Sequence, residues 1–184
     1  MAHRALIVID VQMDYFPGGR WPLDGMEAAA DNAARLIATA RSRSELIVHV
    51  RHEFPDPDAP FFAPGSQGAE IHPKVRPIEG EPLVLKRRIN AFRDTDLKGI
   101  LDRAGIEEVV VAGAMSNMCI DAAARAAADF GYSVTVVHDA CAARGLEFGG
   151  VEVPAGQVHA AYMASLGFAY ARMRSTDEFL AAGH

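Results

Sequence analysis

Short apolar runs alternate along this chain with stretches in which apolar residues recur every three or four positions. Ala5 to Ile9 (Ala-Leu-Ile-Val-Ile) is continuous and apolar and ends at Asp10. A run of that length, bounded by a charge, predicts a strand buried on both faces. Leu46 to Val50, Pro82 to Leu85, Glu108 to Ala112 and Tyr132 to Val137 read the same way, and Phe168 to Met173 is taken as a sixth strand. Helical spacing marks the alanine-rich segment Met26 to Ala40, then Thr95 to Ala104, Cys119 to Phe130, Pro154 to Leu166 and Thr176 to Ala181. Thr95 is a plausible cap, and Gly105 and Gly131 are plausible stops. Gly113 to Met118 is a turn and 145–150 a glycine-rich loop. Residues 53–82 are rich in proline, glycine and aspartate and predict a long loop, a kind of segment that usually carries function.

Strand and helix in alternation predict an α/β fold: a three-layer αβα arrangement, with a parallel sheet of about six strands and helices on both faces. Crossovers are expected to be right-handed. No repeat or linker interrupts the pattern, and 184 residues suit a single domain over 1–184.

Composition narrows the field. Half of the residues are hydrophobic and the formal net charge is -6, so neither disorder nor a basic face for nucleic acid or anionic lipid is expected. Lys86-Arg87-Arg88 is the longest basic cluster weighed, and it is short. No apolar run reaches membrane-spanning length, and the run after Met1 is too short for a secretory signal. The two cysteines, Cys119 and Cys141, are therefore read as free thiols in a reducing cytoplasm.

In open α/β sheets ligands sit outside the carboxyl ends of the strands. Asp10, Lys86 and Cys119 each fall at or just past such an end, so the fold would bring them onto one rim. Cys119 stands in a strand-to-helix turn, where unpaired amide donors and the helix dipole favour a thiolate and lower a thiol pKa. The same donors can receive the oxyanion of a tetrahedral intermediate. A thiol, a carboxylate base and a cation make a complete activated-nucleophile set. Each residue also has an ordinary reading: Cys119 as a small buried apolar group, Asp10 as a turn cap, Lys86 as a surface lysine.

Four segments carry a resemblance: Ala5-Leu-Ile-Val-Ile-Asp-Val-Gln-Met-Asp-Tyr-Phe16, Lys86-Arg-Arg-Ile-Asn-Ala-Phe92 with Thr95-Asp-Leu97, Gly113-Ala-Met-Ser-Asn-Met-Cys119, and Gly131-Tyr-Ser-Val-Thr-Val-Val-His-Asp-Ala140. Together they resemble the isochorismatase-like cysteine hydrolases, which include nicotinamidases and related amidases. The resemblance implies the Rossmann-like fold of that family, catalytic Asp10, Lys86 and Cys119, a cis peptide between Ala114 and Met115, and an oxyanion hole made by the amides of Met115 and Cys119. It implies hydrolysis of a small-molecule amide or cyclic amide through a thioester on Cys119. It also implies a homo-oligomer and no organic cofactor. Cys119 favours amide hydrolysis over isochorismatase chemistry proper, whose enzymes lack the cysteine. The metal-binding Asp-x-His of nicotinamidases is absent: the segment reads His49-Val-Arg-His-Glu-Phe-Pro-Asp-Pro-Asp58, and no metal is expected although His52, Asp56, Asp58 and His72 could supply ligands.

Gln12, Phe16, Asn90 and Phe62 are candidate substrate contacts, with Phe61 and Trp21 as further candidate pocket walls. Gln12 equally suits orienting Asp10 or closing a turn, and Asn90 equally suits capping the segment before Phe92. Arg87 and Arg88 are read as surface pairs, Cys141 as a buried small residue, His159 as structural or interfacial, and Ser116 as a turn residue. A dinucleotide site would need its glycines directly after the first strand, and an aspartate-nucleophile phosphatase would need a second aspartate at the place of Gln12. The remaining alternatives are a catalytically silent binding or scaffold protein and a cysteine-independent hydrolase.

Overall fold

The computed structural model describes residues 3–182, so the terminal residues 1–2 and 183–184 of the expected domain lie outside the described residues. Six strands form one parallel sheet: β1 (Arg4–Ile9), β2 (Leu46–His52), β3 (Leu83–Lys86), β4 (Glu108–Ala114), β5 (Ser133–Ala142) and β8 (Arg172–Arg174). Their spatial order is β3-β2-β1-β4-β5-β8. The chain thus winds outward from β1 in one direction, returns, and winds outward from β4 in the other. The crevice between the carboxyl ends of β1 and β4 is the switch point where such folds bind ligands.

Strand periodicity divides the core into two layers. Leu6 and Val8 of β1 face α1 (Met26–Ser42) and α5 (Thr176–Ala181), whereas Ala5, Ile7 and Ile9 face α2 (Leu97–Arg103), α3 (Asp121–Asp129) and α4 (Ala155–Ala169). Every residue of the run Ala5 to Ile9 is buried, as a strand covered on both faces requires.

Three expectations are corrected. The sixth strand is Arg172–Arg174, because α4 continues through Phe168, whose ring hangs almost fully in solvent on the last turn of that helix. The glycine-rich 145–150 segment leads into and turns an antiparallel hairpin, β6 (Leu146–Phe148) and β7 (Val151–Val153). Gly149 and Gly150 at its tip both have positive φ, the conformation that a tight two-residue hairpin turn demands. The helix expected from Cys119 begins at Asp121, after a wide turn over Ser116–Ile120 in which the Ile120 amide bonds the carbonyl of Met115, five residues back.

The long loop after β2 is anchored from within. The Asp14 carboxylate is buried and accepts the amides of Phe62 (2.7 Å) and Arg20 (3.1 Å), while Phe62, Ala69 and Val75 sink into the core. At its far end Glu81 accepts from Arg41 (2.7 and 2.9 Å), His49 (2.9 Å) and the Ile78 amide (3.0 Å). These partners, Arg41 foremost, hold the Glu81 carboxyl down at about 2.

Candidate active site

Four strand ends deliver the site. Asp10 follows β1, His52 ends β2, Lys86 ends β3, and Cys119 lies on the turn after β4. All four side chains are buried, with relative exposures of 0, 2, 0 and 1 % in that order. Asp10 takes a left-handed conformation (φ 53°), which aspartate tolerates better than most residues, and its amide bonds the Val50 carbonyl at 3.0 Å. The Ala114–Met115 peptide is cis. Gly113 (φ 126°) lies so close to β1 that a Cβ there would stand 1.9 Å from the Ile9 carbonyl oxygen, so only glycine lets β4 and β1 meet at the switch point.

Lys86 Nζ is the centre of the constellation. It stands 2.8 Å from Asp10 Oδ2, 2.9 Å from His52 Nδ1, and 3.2 Å from both Cys119 Sγ and the Arg88 carbonyl. The contact with Asp10 is an ion pair without hydrogen-bond alignment, and neither Asp10 oxygen has a regular hydrogen-bond partner among the described residues. The carboxylate therefore keeps its lone pairs for a proton or a ligand.

The electrostatics follow from burial. Burial raises the Asp10 carboxyl, and Lys86 only partly offsets it. For Lys86, burial works against the charge, but Asp10 and Cys119 outweigh it and the pKa rises, so the ammonium persists. The Cys119 thiol is pushed well above its ordinary range, first by burial, then by the Asp10 charge, with Lys86 opposing. This corrects the expectation of a thiol pKa lowered by its turn. Removing the sulfur from water outweighs the nearby cation, so burial favours the thiol over a free thiolate at Cys119.

His52, which the sequence offers only as a metal ligand, stands inside the constellation. Its Nδ1 is 4.0 Å from Asp10 Oδ2, and its ring packs on Phe54 with 4.4 Å between centroids. Burial and the adjacent Lys86 pull its pKa down to about 3. The sequence reading ends this strand at Val50, but β2 continues to His52 and buries its side chain, and nothing in the sequence names its partner. His49, three residues earlier, faces the other side of the sheet toward Glu81, as strand alternation requires. Asp10, His52 and Cys119 offer ligand atoms within 4.8 Å of one another, a grouping that includes none of Asp56, Asp58 and His72. Lys86 Nζ already occupies bonding distance from all three. A resident divalent ion does not fit beside that ammonium.

The remaining candidates separate. The Gln12 side chain is fully committed to backbone: its Nε2 donates to the carbonyls of His52 and Ala69, and its Oε1 accepts the His52 amide, each at 2.8 Å. Gln12 is thus a buried clamp on the β2 end, with both amide hydrogens spent on backbone carbonyls, which departs from its place among the expected substrate contacts. We expect Gln12→Ala to cost about 2–4 kcal/mol of stability in urea unfolding, because it strands three buried backbone groups. Asn90 Oδ1 accepts the Phe92 amide at 3.0 Å, its capping alternative. Phe16 stacks on His72 at 3.9 Å, and Phe62 packs on Tyr15 at 4.5 Å. Trp21 stacks on Phe61 and lies under the Arg144 guanidinium. His159 Nδ1 meets Ser116 Oγ at 2.8 Å, and Ser116 also donates to the Ala142 carbonyl, so α4 and β5 together brace the turn that carries Cys119. Cys141 Sγ donates to the Val137 carbonyl; burial pushes its thiol up to about 12, and both cysteines are free.

A concavity of about 970 Å³ lies at the opposite, amino-terminal end of the strands, lined by Arg4, Arg43, Leu46 and Arg172 among others, and holds none of these site residues. Among the described residues no helix is long and apolar enough to cross a membrane.

The isochorismatase domain model matches residues 4–152. The chain is 46 % identical over 176 residues to the uncharacterised isochorismatase family protein YddQ of Bacillus subtilis, covering 96 % of this chain and 98 % of that protein. It is 36 % identical over 139 residues to a streptothricin hydrolase of Streptomyces noursei, covering 74 % of this chain and 49 % of that protein. It is 31 % identical over 152 residues to maleamate amidohydrolase of Pseudomonas putida, covering 73 % and 70 %. A crystal structure from Oleispira antarctica, assigned to the isochorismatase hydrolases, superposes with a TM-score of 0.94 at 56 % identity, covering 97 % of this chain and 96 % of that one. The sheet order, the strand-end constellation and these likenesses lead to one assignment: the chain belongs to the isochorismatase family.

Proposed function

We propose that this protein is a cysteine amidohydrolase that cleaves a C–N bond of a small-molecule amide or cyclic amide through a thioester on Cys119. The observation that carries the reading is the juxtaposition of a thiol, a persistent ammonium and a carboxylate with unspent lone pairs, all sealed at the switch point. The names of the streptothricin and maleamate relatives support the reaction class.

The chemistry follows from the proton count. Asp10, Lys86 and Cys119 together hold one proton that either the carboxylate or the sulfur can carry, and Lys86 remains cationic in both arrangements. Thiolate formation is then a transfer from Sγ to Asp10, with no net charge added to a buried site. The thiolate attacks the amide carbon, and the amides of Met115 and Cys119 receive the oxyanion. Asp10 returns the proton to the departing nitrogen. A water then loses a proton to Asp10 and attacks the thioester carbon, the C–S bond breaks, the acid leaves, and the sulfur regains its proton. Phe16 and Phe62 belong to the pocket walls in this scheme, and the working protein is a homo-oligomer.

The test is turnover of an amide library with rapid acid quench and mass spectrometry of the Cys119 peptide. An acyl mass on that peptide during turnover is the expected result. Hydrolysis that continues undiminished in Cys119→Ala sinks the reading and leaves a cysteine-independent hydrolase; no turnover of any amide favours a silent binding protein.

A further inference from the structure

We infer that His52 is the positioning residue of this site, a fixed neutral acceptor that holds the Lys86 ammonium against Cys119. The inference rests on the cysteine-hydrolase reading above and assigns a role to a residue which that reading does not use.

An ammonium has three N–H donors in a tetrahedral array. Lys86 Nζ has four acceptors around it: Asp10 Oδ2, His52 Nδ1, the Arg88 carbonyl and Cys119 Sγ. Two of these change charge in the proposed cycle, because Asp10 gains and loses a proton as Cys119 loses and regains one. The other two keep their charge. The Arg88 carbonyl is the longer contact, at 3.2 Å, and His52 Nδ1 is the shorter, at 2.9 Å. His52 therefore supplies the constant anchor while the carboxylate and the sulfur exchange their proton.

The surroundings of His52 suit an anchor and not a base. Lys86 can donate to Nδ1 only if that nitrogen is bare, which puts the ring proton on Nε2. Burial and Lys86 keep the ring neutral down to about pH 3, so it does not compete for the shuttled proton. Its position is fixed at both ends. The Gln12 amide holds the His52 N–H and C=O, and Phe54 packs against the ring. The buried Nε2 has no hydrogen-bond partner among the described residues.

The test reads the sulfur without needing a substrate. Second-order alkylation of Cys119 by iodoacetamide is followed by mass spectrometry from pH 6 to 10 in wild type, His52→Asn and His52→Leu. An asparagine amide oxygen can take the place of Nδ1, and leucine cannot. We expect His52→Leu to slow alkylation about 10- to 100-fold and to move its profile to higher pH, the worth of one hydrogen bond to a charged group, with His52→Asn close to wild type. Equal rates in wild type and His52→Leu, or equal losses in both variants, overturn the inference. The wild-type protein gives an independent reading if the leucine variant does not fold: nitrogen-15 NMR of the His52 ring. A neutral ring protonated on Nε2 between pH 5 and 9 is expected, and a proton on Nδ1 overturns the inference. Absence of amide turnover, by contrast, removes the proposed function and leaves the alkylation and NMR results to judge the Lys86–His52 contact by themselves.

Discussion

Asp10→Asn is expected to slow amide hydrolysis about 10²–10⁴-fold while accelerating alkylation of Cys119 at neutral pH. The two effects have opposite signs because Asp10 does two different things. In the proposed mechanism it carries the proton from the sulfur to the leaving nitrogen and later takes one from water, and an amide side chain does neither. In the resting protein its negative charge is the second cause, after burial, that pushes the Cys119 thiol up, and Lys86 is what opposes it. Asparagine removes that charge and leaves Lys86 Nζ at 3.2 Å from the sulfur, so the thiolate gains a partner without a competitor. Rates of turnover and of iodoacetamide modification, measured on the same preparation, check this. A parallel fall in both would show that Asp10 activates the resting thiol, and unchanged turnover would remove Asp10 from the proton path.

Lys86→Met is expected to lower stability by about 3–5 kcal/mol near neutral pH, because it leaves a buried carboxylate without its counter-charge. Methionine fills most of the volume, so the loss is electrostatic and therefore depends on pH. Burial already raises the Asp10 carboxyl with Lys86 opposing, and without Lys86 it rises further. A carboxyl whose folded pKa lies above its unfolded value of about 3.9 costs nothing below that value, since both states then hold the proton. Above it the unfolded chain ionises first, so the cost grows with pH until the folded pKa is passed and then levels off. The deficit of Lys86→Met relative to wild type should thus be small at pH 4 and clearly larger at pH 7 in urea unfolding. A deficit of equal size at both pH values would mean that lost packing, not an unpaired charge, is the cause. Turnover of the variant should fall as well, since the proposed mechanism loses the cation that stabilises the charge moving between Asp10 and Cys119.

Much of this molecule was legible in the chain. The run Ala5 to Ile9 is apolar without alternation, which only a strand covered on both faces tolerates, and it stands at the centre of the sheet. Asp10, Lys86 and Cys119 each lie at or just past a strand end, and parallel strands separated by helical crossovers place their carboxyl ends on one side. The line of sequence therefore determined the sheet, its helices on both faces and the meeting of those three residues. It did not determine where α4 ends. Phe168-Ala-Tyr-Ala-Arg-Met173 suits either state by composition, and the helix wins until Ala169 because Val158, Met163 and Leu166 bury one face of it. Nor did it determine the hairpin over Leu146 to Val153, whose strands of three residues are too short for a periodic signal.

The electrostatic state of the site was decided by tertiary structure alone. Sequence placed Cys119 in a turn, where local dipoles favour a thiolate. Only the packed structure has the sulfur withdrawn from water and facing a carboxylate, which reverses the sign of the shift. The role of Gln12 was hidden for the same reason: its partners, His52 and Ala69, are 40 and 57 residues away. His52 carries no local mark of its partner, because Lys86 is brought to it by the pairing of β2 with β3, which sets those two residues side by side. Periodicity fixes what each element is and which way its side chains point, since both are properties of neighbours along the chain. Charge states and hydrogen-bond partners depend on who is adjacent in space and on how much water is excluded, and the fold has to close before either is defined.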